Sequence, residues 1–449
     1  MIKKPTLIVI LCAVVLGGVY YLVQWRSQKA EKASVETFKP AFTVPSADIT
    51  SLTVTRPAKP DEPAIHLAKE SGTWKVTQPV ETAADGSVVD TSCDNLTSAR
   101  ITQSEPYAVD RLKAYGLDPA KVSVEFQTKS GAKHTLLIGD KVFDGSSVYA
   151  IVDGAKSVSV LPDSVLTSTD KSLDDWRDHT VLHITSSQVP SFNLKNSSGD
   201  MALSKSKNQN NGQWTFSKPV DTRADGDSVD GLLTAVQNAK FTNVASEKPE
   251  DLSKYGLANP AVSLTATDDT GKKFTLEVGK KDGNDYFARD TSRPMIFHVN
   301  SDLYTQLTKN FADLRDKKVF HVDAADLNRI EIHDDHGTLV ADKSGEDWKI
   351  ESPDAQKGKT AASYKLVDPL TNLRADQVMD HAGGDVTSKL AKPAIEITLT
   401  DKNKKTTTLR VSKPAGDNVY AQASDSPAVF KLKKQDFDNL NLDPSSVVE

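Results

Sequence analysis

Two stretches decide the fold: WKVTQPVETAADGSVVD, from Trp74 to Asp90, and WTFSKPVDTRADGDSVD, from Trp214 to Asp230. They are one segment written twice, and no gap is needed to align them. Ala99 and Thr102 recur beyond the first copy as Ala239 and Thr242 beyond the second. A more worn third copy begins at Trp348, with Pro353 at the spacing of Pro79 and Pro219. An internal repeat governs how everything around it is read. Units of about 130–140 residues are domain-sized rather than solenoid-sized.

Each unit follows one plan. It opens on an alternating strand, Ile49 to Val54, Phe192 to Leu194 or Ile330 to Ile332. Turns carrying Gly72, Gly212 or Gly345 lead into the Trp strand. Alternation punctuated by Gly- and Asp-rich turns predicts an antiparallel meander. The Trp itself stands at a strand position that covers the core. The Pro after it stops sheet pairing. Asp85-Gly86 and Asp225-Gly226 then predict a helix start, because an Asp side chain accepts from the free amides of the first turn. Val89, Cys93 and Leu96, and likewise Val229, Leu233 and Val236, fall on one helical face. In the third copy Asp368-Pro369 suits an N-cap and first helical position, so a shorter or kinked helix is expected there.

Further on, Tyr115-Gly116-Leu117 and Tyr255-Gly256-Leu257 mark a tight turn with Gly at positive φ. Hairpins follow, from Val122 to Ile138 and from Val262 to Val278, closing on Gly139 and Gly279. The third copy has Ser412 in that place. The first two units finish on Arg177-Asp178 and Arg315-Asp316; the third lacks the pair. A worn terminal copy is expected of a repeat with no successor to pack on. The fold class is therefore α+β: an N-terminal transmembrane helix, then three tandem repeated α+β domains with antiparallel sheets. The boundaries are 1–26 for the anchor, 27–45 for a polar tether, and 46–180, 181–318 and 319–449 for the domains, the third divergent and truncated.

The anchor is read from Leu7 to Val23, apolar apart from Cys12, Tyr20 and two glycines. With its flanks it reaches the roughly 17–25 residues of a membrane span. Tyr20, Tyr21 and Trp25 suit an interfacial belt. A cleaved signal peptide is the rival, but no small-x-small site follows Val23 convincingly. A short basic N-terminal tail before a long soluble portion places the bulk of the chain outside the cytoplasm.

The net charge of −6 argues against nucleic acid as a partner. Two cysteines, Cys12 and Cys93, cannot build a disulfide framework, and Cys93 reads as a buried thiol. The acidic stretch from Asp221 to Asp227 superficially suggests a calcium loop, but Arg223 and Leu232 occupy ligand positions. His333-Asp334-Asp335-His336 could bind a metal, yet it sits where the other units have a polar hairpin turn. His179 and His183 are four apart at a helix-to-strand junction. No nucleophile elbow, phosphate loop or CxxC pair occurs. No catalytic, cofactor-binding or metal-binding residue is assigned, and no cofactor is expected.

At the Trp-Pro-helix stretch, the Tyr-Gly-Leu turn and the Gly-ended hairpin, the chain resembles a bacterial family named domain of unknown function 4340. The resemblance covers Trp74 to Arg177 and Trp214 to Arg315, and weakly the third unit. It implies a single-pass inner-membrane protein of Gram-negative bacteria, with its bulk in the periplasm, accessory to an ABC transporter or cell-envelope system. It implies no catalytic residues. The resulting expectation is a non-enzymatic, membrane-tethered interaction protein with protein partners. The alternative is an extracytoplasmic module that binds an envelope glycan, a lipid or a transport substrate.

Overall fold

A computed structural model describes residues 38–106, 109–143, 145–206 and 212–449. The expected anchor and most of the tether lie outside these residues. Among the described residues no helix is long and apolar enough to cross a membrane. The chain divides into two compact units, one ending at His179 and the other spanning Thr180–Glu449.

The architecture is α+β, with sheets that are antiparallel throughout. The first unit is built on one nine-stranded sheet and the second on two, and all three have the same strand order. In the first sheet Ile49–Thr55 lies at the centre. Ile65–Glu70, Thr73–Gln78 and Thr82–Ala83 extend from it toward one edge. Val122–Thr128 pairs on its other side, and Lys133–Lys141, Ser147–Val152 and Ser157–Pro162 continue outward. The ninth strand, Gln103–Pro106, closes the far edge. The sheet is thus two meanders joined at the middle, and the helix Gly86–Ser98 carries the chain from one edge to the other.

The alternation read from sequence is the alternation that buries the core. Leu52, Val54, Leu67, Val76, Val122, Val124, Leu136 and Ile138 point to one face, and the helix covers them with Val89, Cys93 and Leu96. The second and third sheets have cores of the same kind. Burying such aliphatic side chains stabilises by about 1.5–3 kcal/mol each.

Trp74 and Trp214 are buried to the same degree. Each indole N–H donates to a helix carboxylate, Trp74 to Asp90 at 2.8 Å and Trp214 to Asp230 at 2.9 Å. A lysine from the neighbouring strand lies over each ring, Lys69 at 5.3 Å and Lys205 at 5.0 Å from the centroid. The trio staples helix to sheet. It also leaves the indole's one polar atom bonded, as burial of a Trp requires.

The helix starts are capped as the sequence indicates. Asp85 accepts from the Ser87 and Val88 amides, and Asp225 from Ser228 at 2.9 Å. Gly116 and Gly256 have φ of 65° and 70°. Gly139 and Gly279 pack beneath them: a Cβ at either would lie 2.1 Å from the carbonyl oxygen of Tyr115 or Tyr255. That is the physical reason for glycine at these two hairpin ends.

The third sheet departs where its sequence does. Its helix breaks into Ser363–Leu366 and Asp368–Thr371. The start of the second piece is one residue off the sequence reading: Val367 is the cap, Asp368 the first residue and Pro369 the second. Pro is still in the first turn, where its missing N–H has no partner to lose. Ala362 holds the place of the capping aspartates and makes no side-chain cap.

Sequence reasoning did not foresee how each sheet is closed. The Asp85 and Asp225 amides donate to the Trp176 and Leu314 carbonyls, and Ala362 donates to Val447 in the same manner. Arg177, Arg315 and Val448 then bridge Ala84, Ala224 and Ala361. The third sheet lacks the Arg-Asp pair but not the closing segment, which Val447–Glu449 supplies.

Trp214→Ala should destabilise the second unit by about 3–5 kcal/mol, through lost burial and the cavity left behind. In thermal unfolding followed by limited proteolysis, fragments from beyond Thr180 should be cut at lower temperature, and those before His179 should be unchanged. Unaltered melting would show that the indole carries no packing load.

Candidate functional site

The residues weighed as possible ligands are placed in structural roles. His333 Nδ1 lies 2.9 Å from the Thr338 hydroxyl across a hairpin. Asp334 accepts the His336 and Leu442 amides at 2.8 and 2.9 Å. Asp334, Asp335 and His336 do bring ligand atoms within 4.8 Å of one another, at an exposed turn. His179 Nε2 lies 2.9 Å from the Asp174 carbonyl oxygen. Cys93 is buried in the first core, and its thiol is pushed up to about 12 by burial and then by Asp90 and Asp94. Such a thiol is unreactive at neutral pH.

The densest arrangement of charge lies in the second unit, where the second and third sheets meet. Arg315 emerges from the closing segment after the short helix Phe311–Leu314. Its guanidinium is buried and takes both oxygens of Asp380 from the third sheet's edge. A planar fork matched to a carboxylate is the strong geometry for such a pair. Arg374 reaches back from the third sheet to Asp225, the residue that caps the second helix. Backbone pairing runs between these contacts: Val319 donates to Leu373 and Ala375 donates to Lys317. Asp316 faces His321 at 2.8 Å and accepts the Lys318 amide.

Two of these carboxyls are held below the ordinary aspartate value. For Asp316, burial alone pushes the pKa up and is the largest influence; the bonds from His321 and Lys318, with the charges of His321 and Arg374, outweigh it. For Asp225, burial again pushes upward, and the bond from Arg374 with those from Ser228 prevails.

Beside the junction two adjoining cavities of about 200 and 500 Å3 share Arg223, Lys318 and His321 in their walls. Arg223 comes from the short edge strand Thr222–Arg223, and the other two from the segment that leads into the third sheet. Val378, Phe430 and Asp425 also line the smaller cavity. Little in the sequence signals this grouping. Arg223 has alanine as its counterpart in the first copy, Ala83, so it is not part of the recurring pattern.

The profile of a family described as a domain of unknown function, DUF4340, matches residues 74–213 and 214–389. The chain belongs to the DUF4340 family. No curated protein matches it. The first family segment starts on Trp74 and the second on Trp214, the two buried indoles. In this DUF4340 protein the family pattern therefore begins on a core contact.

Stability should depend on pH through the junction. A depressed carboxyl contributes fully above the unfolded value of about 4 and loses its contribution as pH falls through the lower folded value. Asp316→Asn should cost about 1–3 kcal/mol near pH 7. The gap between variant and wild type should close below about pH 4, as read from urea unfolding across pH. A gap that stays constant down to pH 2 would show that the ionised form is not what stabilises the junction.

Proposed function

We propose that this protein is a non-enzymatic, membrane-tethered interaction protein of the extracytoplasmic space, accessory to an ABC transporter or another cell-envelope system. The observation that carries this reading is how the recurring residues are used. Trp74 and Trp214, Asp85 and Asp225, and Gly139 and Gly279 all serve packing, capping or close backbone approach. A motif that recurs because it builds scaffold leaves the variable surface to do the recognising.

We read each nine-stranded sheet with its helices as one copy of the repeated domain, following the boundaries drawn from sequence. The ion pairs Arg315–Asp380 and Arg374–Asp225 support a second and third copy held in fixed relation. Such rigidity suits a protein that positions partners. The apolar stretch from Leu7 to Val23 supports the single-pass anchor in the bacterial inner membrane. Large apolar side chains exposed on the described surface include Phe143 and Tyr364. The second reading, a ligand-binding module, draws on the charged cavities beside the junction.

A reporter fused after Glu449 should be active outside the cytoplasm only, and the protein isolated from membranes should bring subunits of a transporter with it. A reporter active in the cytoplasm would overturn the orientation and, with it, the envelope role.

A further inference from the structure

We propose that the crevice lined by Arg223, Lys318 and His321 binds the carboxylate of an acidic side chain on a peptide segment of a partner protein. The choice of a protein segment rests on the interaction role argued above. The choice of a carboxylate rests on the crevice itself.

Three basic groups around the crevice already have acidic partners. Arg315 is taken by Asp380, Arg374 by Asp225 and His321 by Asp316. Arg223 and Lys318 are half-buried, and among the described residues neither side chain forms an ion pair or a hydrogen bond. Withdrawing a cation from water without a partner is costly. A bound anion offsets the part of that cost that half-burial imposes, and two cations lining the same cavities make the gain larger.

The character of the anion follows from its surroundings. Asp316 and Asp425 in the lining of the smaller cavity and Asp323 in that of the larger one repel a multiply charged group. A single negative charge enters at less cost, and a carboxylate matches the guanidinium fork in shape. Val378, Pro427 and Phe430 give the same crevice an apolar side, against which the methylenes of a Glu side chain pack. The smaller cavity, about 200 Å3, has room for one side chain, and the adjoining one of about 500 Å3 leaves space for neighbouring residues of the segment.

The test uses the full-length protein in detergent micelles and saturation-transfer NMR. The probes are a capped pentapeptide of alanines with one central glutamate, its glutamine counterpart, acetate and inorganic phosphate. The glutamate peptide should bind about tenfold more tightly than the glutamine peptide. Arg223→Gln and Lys318→Gln should each weaken it by about tenfold, with melting temperatures near that of wild type. Lys402→Gln, which alters a surface pair with Asp326, should leave binding unchanged. If Arg223→Gln does not fold, Arg223→Lys keeps the charge and removes the fork; it should weaken binding about threefold to fivefold. Equal binding of the two peptides, or wild-type binding by the variants, would overturn the site. Acetate bound as tightly as the peptide would overturn the peptide assignment, and phosphate bound more tightly would overturn the carboxylate. Transporter subunits that still co-isolate when peptide binding fails would sink this inference alone. Peptide binding without co-isolation would sink the envelope role alone.

Discussion

The antiparallel pair at the centre of each sheet is the contact on which the rest depends. Ile49–Thr55 and Val122–Thr128 are neighbours in the sheet but far apart in the chain. Between them in the chain lie one meander, a helix and an edge strand, so the pairing closes a long loop. The loop-closure entropy of such a pairing is recovered only by contacts formed after it. Several local devices make the meeting possible. The Trp–Asp bond sets the helix on the sheet, the Asp cap fixes where the helix begins, and the glycine at each hairpin end lets the Tyr-Gly-Leu carbonyl approach.

This dependence explains why the same residues recur while others drift. Positions that serve the central pairing keep their chemistry between the first and second copies. On the outer edge strand Thr82 recurs as Thr222, whereas Ala83 gives way to Arg223. In the third copy the helix is broken and Ser412 stands in the glycine position, its hydroxyl accepting the Tyr420 amide. Its nine strands nevertheless keep the order of the other two sheets. Strand order is thus less sensitive to local wear than helix length, because it is set by the alternating apolar faces of many strands at once.

Much of this was legible before any coordinates. Alternation gave the meanders, Asp-Gly the helix starts, Trp74 and Trp214 the core, and Tyr-Gly-Leu the positive φ. The edge position of Gln103–Pro106 was not legible, since four residues without an apolar alternation carry no register signal. The closing segments were missed for a related reason: they join the sheet through isolated backbone bridges, which any side chain can make. At the candidate site, the recurrence of Arg-Asp pointed to the right segment. Its partners Arg374 and Asp380 lie in the copy whose sequence has diverged most, so periodicity could not connect them. Arg223, Lys318 and His321 share no repeat position and converge only through the fold.

The way the second sheet engages the third bears on assembly. The contact is head-to-tail: an acid at the helix cap and a base in the closing segment meet a base and an acid from the following copy. A heterologous contact of this kind has no inherent limit and can propagate into open filaments when the rotation does not close. In the third copy Ala362 stands where the acid would be and Val448 where the base would be. The third sheet therefore lacks both charged groups through which the second sheet engages its neighbour.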